Sequence, residues 1–134
     1  MPVILFSVLF AAFATAAEPP AAPPVDPFKD AVSKLKDGNH QIRLRAAADL
    51  GQFRRPDAAP HLIPVLDDKE PGVRVAAADA LGLIRAVSAV PRLKTLLLKD
   101  KQAAVRQSAA TALAYIGDPA AADALVAAVA GLAG

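Results

Sequence analysis

Residues 73–82 read VRVAAADALG, and two other stretches nearly repeat them, IRLRAAADLG at 42–51 and VRQSAATALA at 105–114. When the three copies are aligned, the arginine at the second position of each copy recurs at spacings of 31 and 32 residues. A repeat of about 31 residues is typical of stacked repeat proteins, in which each unit packs only against its neighbours. The sequence therefore predicts a solenoid.

Each copy contains two helical patterns. Between Val73 and Ile84 the apolar residues recur in steps of three and four, which places them on one face of a helix and not on one face of a strand. A second apolar pattern covers residues 90–97. Pro91 lies at the start of this predicted helix, where its missing N–H costs nothing. In the preceding copy Pro64 lies inside the second helix and predicts a bend there. The expected fold is all-α, a short right-handed α-solenoid of helix pairs.

The pattern VRxxAAxALGxI over 73–84, followed by AVPxLxxLLxxD over 89–100, resembles HEAT repeats of the phycobilisome-lyase type. The resemblance extends over roughly residues 28–133 and implies one lone second helix followed by three helix pairs, about three and a half HEAT-like repeats. The family includes scaffolds, phycobilin lyases, metal-dependent hydroxylases and DNA glycosylase-like proteins. The resemblance therefore specifies the fold more closely than the function.

Six charged residues recur with the repeat at the junctions between helix pairs. Each aspartate ends one pair, and each arginine begins the next pair six residues later. In HEAT proteins, residues at such positions resemble a ladder of Asp–Arg pairs that locks neighbouring repeats, and we interpret them as structural because such pairs fix register. The six residues are Asp37, Arg43, Asp68, Arg74, Asp100 and Arg106.

The chain has few residues that could carry chemistry. It contains no cysteine, which excludes thiol catalysis, disulfides and thiolate metal sites. His40 and His61 lack the spacing of metal ligands, and the sequence has no His-Glu dipeptide of the kind that holds iron in HEAT-type hydroxylases. Gly51 and Gly82 are interpreted as helix-terminal residues rather than parts of a phosphate loop. We predict no catalytic, cofactor-binding or metal-binding residues and no cofactor.

These absences lead to the hypothesis that the chain is not an enzyme. Phycobilin lyases, which share the repeat type, work on cytosolic or stromal proteins and usually have more repeats, so a short exported chain fits them badly. The DNA glycosylase resemblance fails on topology and on the lack of tryptophan. The predicted function is an exported scaffold or adaptor that binds another protein. The alternatives are an accessory or inhibitory subunit of an envelope enzyme and, third, a small lyase-like enzyme.

The prediction of export rests on the first residues. From Val3 to Ala17 the chain is apolar and uncharged and ends in small residues, which is typical of a secretory signal peptide. The run is short for a membrane span, which needs about 20 residues, and an uncleaved anchor is the alternative. We assign residues 1–17 to the signal, 18–27 to a proline-rich linker and 28–134 to the HEAT-like repeat domain. The predicted location is periplasmic or extracellular.

The predicted partner is a protein and not a nucleic acid. The net charge is only +2, and few aromatic residues remain for stacking on bases. Because solenoids commonly bind along their concave side, we predict that the outward positions of the second helices contact the partner. These positions are His61, Ile63, Arg92, Lys94 and Val126.

The C-terminal helix is nearly uncharged and is the second candidate surface. The repeat pattern places Ala122 and Val129 toward the preceding repeat and Ala124 and Ala127 on the outward side. The outward alanines would form a flat face for a partner helix or for self-association. The helix is too short to span a bilayer, so no stable membrane span is predicted once the signal is removed.

Overall fold

The computed structural model of the protein describes residues 19–133, with side chains described as far as residue 131. The predicted signal peptide lies outside the described residues. The predicted linker is exposed over residues 19–26 and has no regular secondary structure there. No helix in the described part of the chain is long and apolar enough to cross a membrane.

The described residues form seven α-helices, with short 3-10 helices at several of the connections and no strand within residues 19–133. The α-helices are α1 (Pro27–Lys34), α2 (His40–Gln52), α3 (Ala59–Leu62), α4 (Pro71–Leu83), α5 (Val90–Lys99), α6 (Ala103–Ile116) and α7 (Ala122–Ala133). The all-α solenoid predicted from the repeat is confirmed.

The helices stack in two rows. The first helices of the three pairs form one row, in which α2 packs against α4 and α4 packs against α6. The second helices form the other row, in which α5 contacts both the 3-10 segment Ile63–Asp67 and α7. The lone helix α1 packs against α2 at the N-terminal end. Each pair therefore touches only its neighbours, as the repeat period predicts.

One leucine from each repeat copy lies at the centre of the core. Leu50, Leu81 and Leu113 are at most 1% exposed, and Leu62 and Leu93 of the second helices are fully buried. Full burial of a leucine side chain stabilises the folded state by about 2 kcal/mol. The core is therefore continuous along the stack.

The first helices approach each other very closely, and two glycines allow this. A Cβ atom at Gly51 would lie 2.8 Å from the Cα of Ala80, and one at Gly82 would lie 2.9 Å from the Cα of Ala112. Each glycine lies buried, one residue before the last residue of its helix, in agreement with its interpretation as a helix-terminal residue. Both are in addition positions of helix–helix contact, which the sequence did not predict.

Gly82→Ala is expected to destabilise the protein by about 1–3 kcal/mol, because the added methyl group meets backbone atoms of α6 that cannot move independently. Urea denaturation followed by circular dichroism measures the change. Gly38→Ala is the matched control, since a Cβ at Gly38 has no neighbour within 4 Å. Equal effects of the two substitutions would show that the close approach is not what stabilises the stack.

The turns after the first helices use left-handed backbone at one equivalent position. Arg54 and Arg85 have φ angles of 52° and 53°, and Gly117 has a φ of 69° at the same place in the last copy. A left-handed residue commonly ends a helix, and glycine is the residue that adopts this conformation without strain. The third copy thus has the favourable residue at a turn where the first two have arginine.

The second helix of the first full pair is interrupted at the predicted place. The α-helix α3 ends at Leu62 and continues as the 3-10 helix Ile63–Asp67, which contains Pro64. Proline lacks the N–H that an α-helix would bond to the carbonyl four residues earlier. The sequence predicted a bent or loosely formed helix at Pro64, and the structure has a change of helix type there.

The orientation predicted for the C-terminal helix is wrong at Ala122, Ala124 and Val129, whereas Ala127 is exposed as predicted. Ala124 is 3% exposed, whereas Val129 is 67% exposed and Ala122 is also exposed. Positions 122 and 129 correspond to Val90 and Leu97, which lie in the core cluster. Within the described residues, only an inner pair is followed by a further repeat that covers these positions. Ala124 can be buried because a methyl group carries no desolvation cost, unlike the charged residue at the equivalent position of α5.

Candidate functional site

The arginine of the first copy joins two consecutive junctions. Arg43 donates from Nε to Asp68 Oδ2 at 2.8 Å and from Nη2 to Asp68 Oδ1 at 3.0 Å, so that the pair is bidentate. Its Nη1 donates to the carbonyl oxygen of Asp37 at 2.8 Å. Arg43 is 7% exposed. The guanidinium therefore holds the end of its own helix pair against the end of the preceding one.

The second copy repeats this geometry. Arg74 donates from Nε and Nη2 to the Asp100 carboxylate at 2.9 and 3.1 Å, and from Nη1 to the Asp68 carbonyl at 2.8 Å. The carboxylates of Asp68 and Asp100 also accept the backbone N–H two residues further on. Each aspartate therefore shapes the following turn as well as binding an arginine.

At each end of the described chain, one ladder residue lacks an ion-pair partner among residues 19–131. Asp37 accepts the backbone N–H of Asn39 at 2.8 Å, and its carboxylate has no arginine partner among residues 19–131. Arg106 donates from Nη1 to the Asp100 carbonyl at 2.7 Å, and its other nitrogen atoms have no carboxylate partner within the same range. The equivalent of the pairing aspartate would fall at residue 132, which is leucine.

Asp68 and Asp100 titrate below the ordinary range. Burial raises the pKa of each carboxyl group, but hydrogen bonds from Arg43 to Asp68 and from Arg74 to Asp100, together with backbone N–H donors, outweigh it and lower the pKa of both. A carboxylate with a lowered pKa stabilises the folded state above the pKa of the unfolded chain, which is about 3.9 for aspartate.

The stabilising effect of these pairs is expected to be constant near neutral pH and to be lost as the pH falls from about 4 through the lowered pKa values. The double variant Asp68→Asn with Asp100→Asn should therefore be less stable than the wild type at pH 7 and approach it below about pH 3. Urea midpoints measured from pH 7 to pH 2 test this, with the exposed Asp123→Asn as control. A stability difference that does not depend on pH would contradict the ion-pair account.

The five residues predicted to bind a partner are only partly available. Val126 is 68% exposed and His61 is exposed, whereas Ile63 packs against the core cluster. Arg92 forms an ion pair with Asp67 of the neighbouring pair, and Lys94 is half-buried. This second-helix face stays a prediction, and its free charge is smaller than the sequence indicates because Asp67 neutralises Arg92.

No group of three histidine, cysteine, aspartate or glutamate side chains lies close enough to hold a metal ion within the described part of the chain. Partial burial raises the pKa of Asp79, and a hydrogen bond with Ser108 opposes this shift. The sequence analysis did not single out Asp79. It lies on the exposed side of α4, along a groove between α2 and α4.

The fold and the repeated ion pairs define the class of protein. Two rows of stacked antiparallel helices, joined by an arginine and aspartate series, are those of an α-solenoid. The chain belongs to the HEAT-repeat family, whose family model matches residues 28–109 and again 84–131.

Two similar proteins have names that are more specific than the family description. The chain is similar to the phycocyanobilin lyase subunit alpha of Synechococcus elongatus, with 36% identity over 73 residues, 54% of this chain and 27% of the relative. It is also similar to a chain in the structure of the complex of CpcE and CpcF of phycocyanin lyase from Nostoc sp. PCC7120. That match has a TM-score of 0.70 and 32% identity, and covers 84% of this chain and 46% of the other. The chain thus spans about a quarter to a half of these relatives.

These relatives correct the hypothesis that the chain is not an enzyme. Both are named as parts of a lyase, so the hypothesis is wrong, and so is the inference that the lyases fit the chain badly. The hypothesis that the chain is not an enzyme rested on the absence of thiol, metal and nucleophile motifs from the sequence. Such an absence does not exclude a subunit of an enzyme whose working site is assembled from large surfaces.

Proposed function

We propose that this chain is a HEAT-repeat subunit of a lyase-type assembly, in which it binds a second protein subunit. The observation that carries the proposal is the similarity over 84% of the chain, at 32% identity, to a chain in the two-protein complex of CpcE and CpcF. The scaffold function predicted from the sequence is kept in this form, with the partner specified as another subunit of the same assembly.

The surface of the stack supports a role in protein binding. Large apolar side chains lie exposed on the last two repeats, where Leu98, Tyr115, Val126 and Val129 are between 49% and 68% exposed. Leu98 and Val129 line one groove, and Val126 and Val129 line a second one. Exposed apolar groups that lie together on a surface are typical of contacts with another protein. The second-helix face contributes Lys94 as a positive charge that can steer an acidic partner.

Calorimetric titration of the purified chain with each of the two Nostoc subunits, CpcE and CpcF, tests the proposed function. We expect a one-to-one complex with one of them and a dissociation constant of about 1 μM or tighter, as for a specific interface of ordinary size. Absence of binding to either subunit at concentrations up to about 100 μM would contradict the proposal.

Lys94→Glu tests the contribution of the second-helix face. The substitution is expected to weaken binding of the subunit by about three- to tenfold at low salt, because it reverses a charge at the edge of the contact. The loss should shrink as the ionic strength rises. Lys29→Glu, an equal charge reversal on α1, is the control. Identical affinities for the two variants would remove this face from the binding surface.

We further propose that residues 1–17 direct export, so that the assembly works in the periplasm or outside the cell. The support is the uncharged apolar run that ends in small residues. Fractionation of cells that express the full chain, with mass spectrometry of its N-terminus, tests this. Recovery of the chain in the cytosol with residues 1–17 attached would contradict it.

A further inference from the structure

A groove of about 670 Å³ lies at the C-terminal end of the stack. Ala110, Leu125 and Val129 are among its lining residues, and Arg106 lies at its edge. In the inner copies the residues equivalent to the three apolar ones are buried in the core, as Ala78, Leu93 and Leu97 are in the second copy. The groove is therefore an inter-repeat contact surface that no described part of the chain covers.

The inner copies show what such a surface accepts. At the first junction Asp68 binds Arg43, and Val73, five residues after Asp68, is fully buried. At the second junction Asp100 binds Arg74, and Val105, again five residues later, is also fully buried. Each inner junction thus carries one carboxylate that binds the ladder arginine, from a turn, and one buried aliphatic side chain, from the start of the following helix.

The end of the stack presents the receiving half of this arrangement. The Nη1 atom of Arg106 binds the Asp100 carbonyl, as the equivalent atom of Arg74 binds the Asp68 carbonyl. The Nε and Nη2 atoms, which take the carboxylate in the inner copies, have no carboxylate among residues 19–131. A guanidinium whose Nε and Nη2 have no carboxylate partner among these residues, beside an apolar groove, is complementary to a segment that carries an aspartate and an aliphatic residue.

We propose that this end is a docking site for a partner HEAT-repeat protein. The partner inserts a helix-pair junction whose aspartate binds Arg106 and whose aliphatic residue, five positions later, enters the groove. The proposal deepens the proposed function and rests on it, since it states which part of the chain receives the second subunit and by what chemistry.

The partner helix cannot simply continue the row of first helices. Gly51 and Gly82 permit the close contacts between first helices, but the equivalent residue of α6 is Ala114. Its Cβ would meet a helix placed at the same spacing. The partner helix is therefore expected to make its contact at the Arg106 end of α6 and to diverge from α6 toward Ala114. The divergence from α6 distinguishes a docked partner from a further regular repeat.

Calorimetry with the Nostoc subunit that binds the chain tests the docking site. Arg106→Gln is expected to weaken binding at least tenfold, because it removes the carboxylate partner at the edge of an apolar contact. Arg85→Gln removes the same charge from an exposed turn and should change affinity less than about twofold. Val129→Glu should weaken binding, since its carboxylate would repel the incoming aspartate, and Val87→Glu is its control on an exposed site.

Normal binding by both Arg106→Gln and Val129→Glu would overturn the docking site and leave the proposed function standing. Light scattering of the wild-type chain without any other protein measures whether the chain associates with itself. A dimer that dissociates on Arg106→Gln would show that a second copy of this chain occupies the groove, and it would overturn the proposal of a different partner protein.

A peptide probe decides the proposal even if neither Nostoc subunit binds. The probe is the chain's own junction, residues 100–112, DKQAAVRQSAATA, labelled for fluorescence anisotropy. It should bind the wild-type chain more tightly than the same peptide with asparagine in place of its first residue, and Arg106→Gln should abolish the difference. Equal binding of the two peptides, or no binding of either, would overturn the docking site. A failure of the proposed function alone would leave the difference intact.

Discussion

Replacing Leu81 with alanine is expected to lower the free energy of unfolding by about 2–5 kcal/mol. Leu81 is fully buried on α4, which packs against a first helix on each side. Truncation therefore leaves a cavity in the centre of the stack, which neither neighbour can fill without losing its own contacts. Folded domains of this size have stabilities of about 5–15 kcal/mol, so the loss is a large share of the total.

Urea denaturation at pH 7 measures the effect of Leu81→Ala, and Leu98→Ala is the matched control. Leu98 carries the same side chain but is 49% exposed, so its truncation should change the stability by less than about 0.5 kcal/mol. If the two variants unfolded at the same urea concentration, the facing of the first helices described above would be wrong.

Asp100→Ala is expected to destabilise the protein by about 3 kcal/mol, because it leaves the guanidinium of Arg74 half-buried without its anion. The carboxylate of Asp100 is 7% exposed at the side chain, and it accepts two hydrogen bonds from Arg74 and one from the backbone of Gln102. Both the arginine pair and the turn that begins α6 are lost together.

Asp37→Ala separates these two effects. Asp37 occupies the equivalent position and accepts the equivalent backbone N–H, but has no arginine partner among the described residues. Its replacement should cost about 1 kcal/mol, the value of one exposed hydrogen bond. Thermal unfolding of both variants measures the difference. Equal losses for Asp37→Ala and Asp100→Ala would show that the arginine pair contributes nothing to stability.

The repeat made most of the fold predictable from sequence. The spacing of the arginines and of Leu50, Leu81 and Leu113 sets the register of the stack, because the helix period determines which residues face inward. The sequence also singled out the six ladder residues. It could not show that Arg43 and Arg74 each bind the aspartate 25 or 26 residues downstream, since this depends on how the two helices of a pair fold back on each other.

Features that depend on neighbouring helices were not predictable from one copy. Gly82 lies near the end of α4, as expected from how common glycine is at helix ends, but its contact with Ala112 arises only when two first helices lie side by side. The C-terminal helix has the repeat pattern, but the exposure of Val129 depends on the absence of a following repeat from the described chain.

The central claim is that the chain forms one stack of helix pairs whose C-terminal end no described residue covers. Amide hydrogen exchange of the isolated chain, followed by mass spectrometry, tests this claim most directly. The account predicts slowest exchange in α4, which α2 and α6 cover on both sides, and fastest exchange in α7 among the helices of ten residues or more. Protection of α7 equal to that of α4 in the monomer would contradict the account, because the apolar end would then be covered within the chain itself.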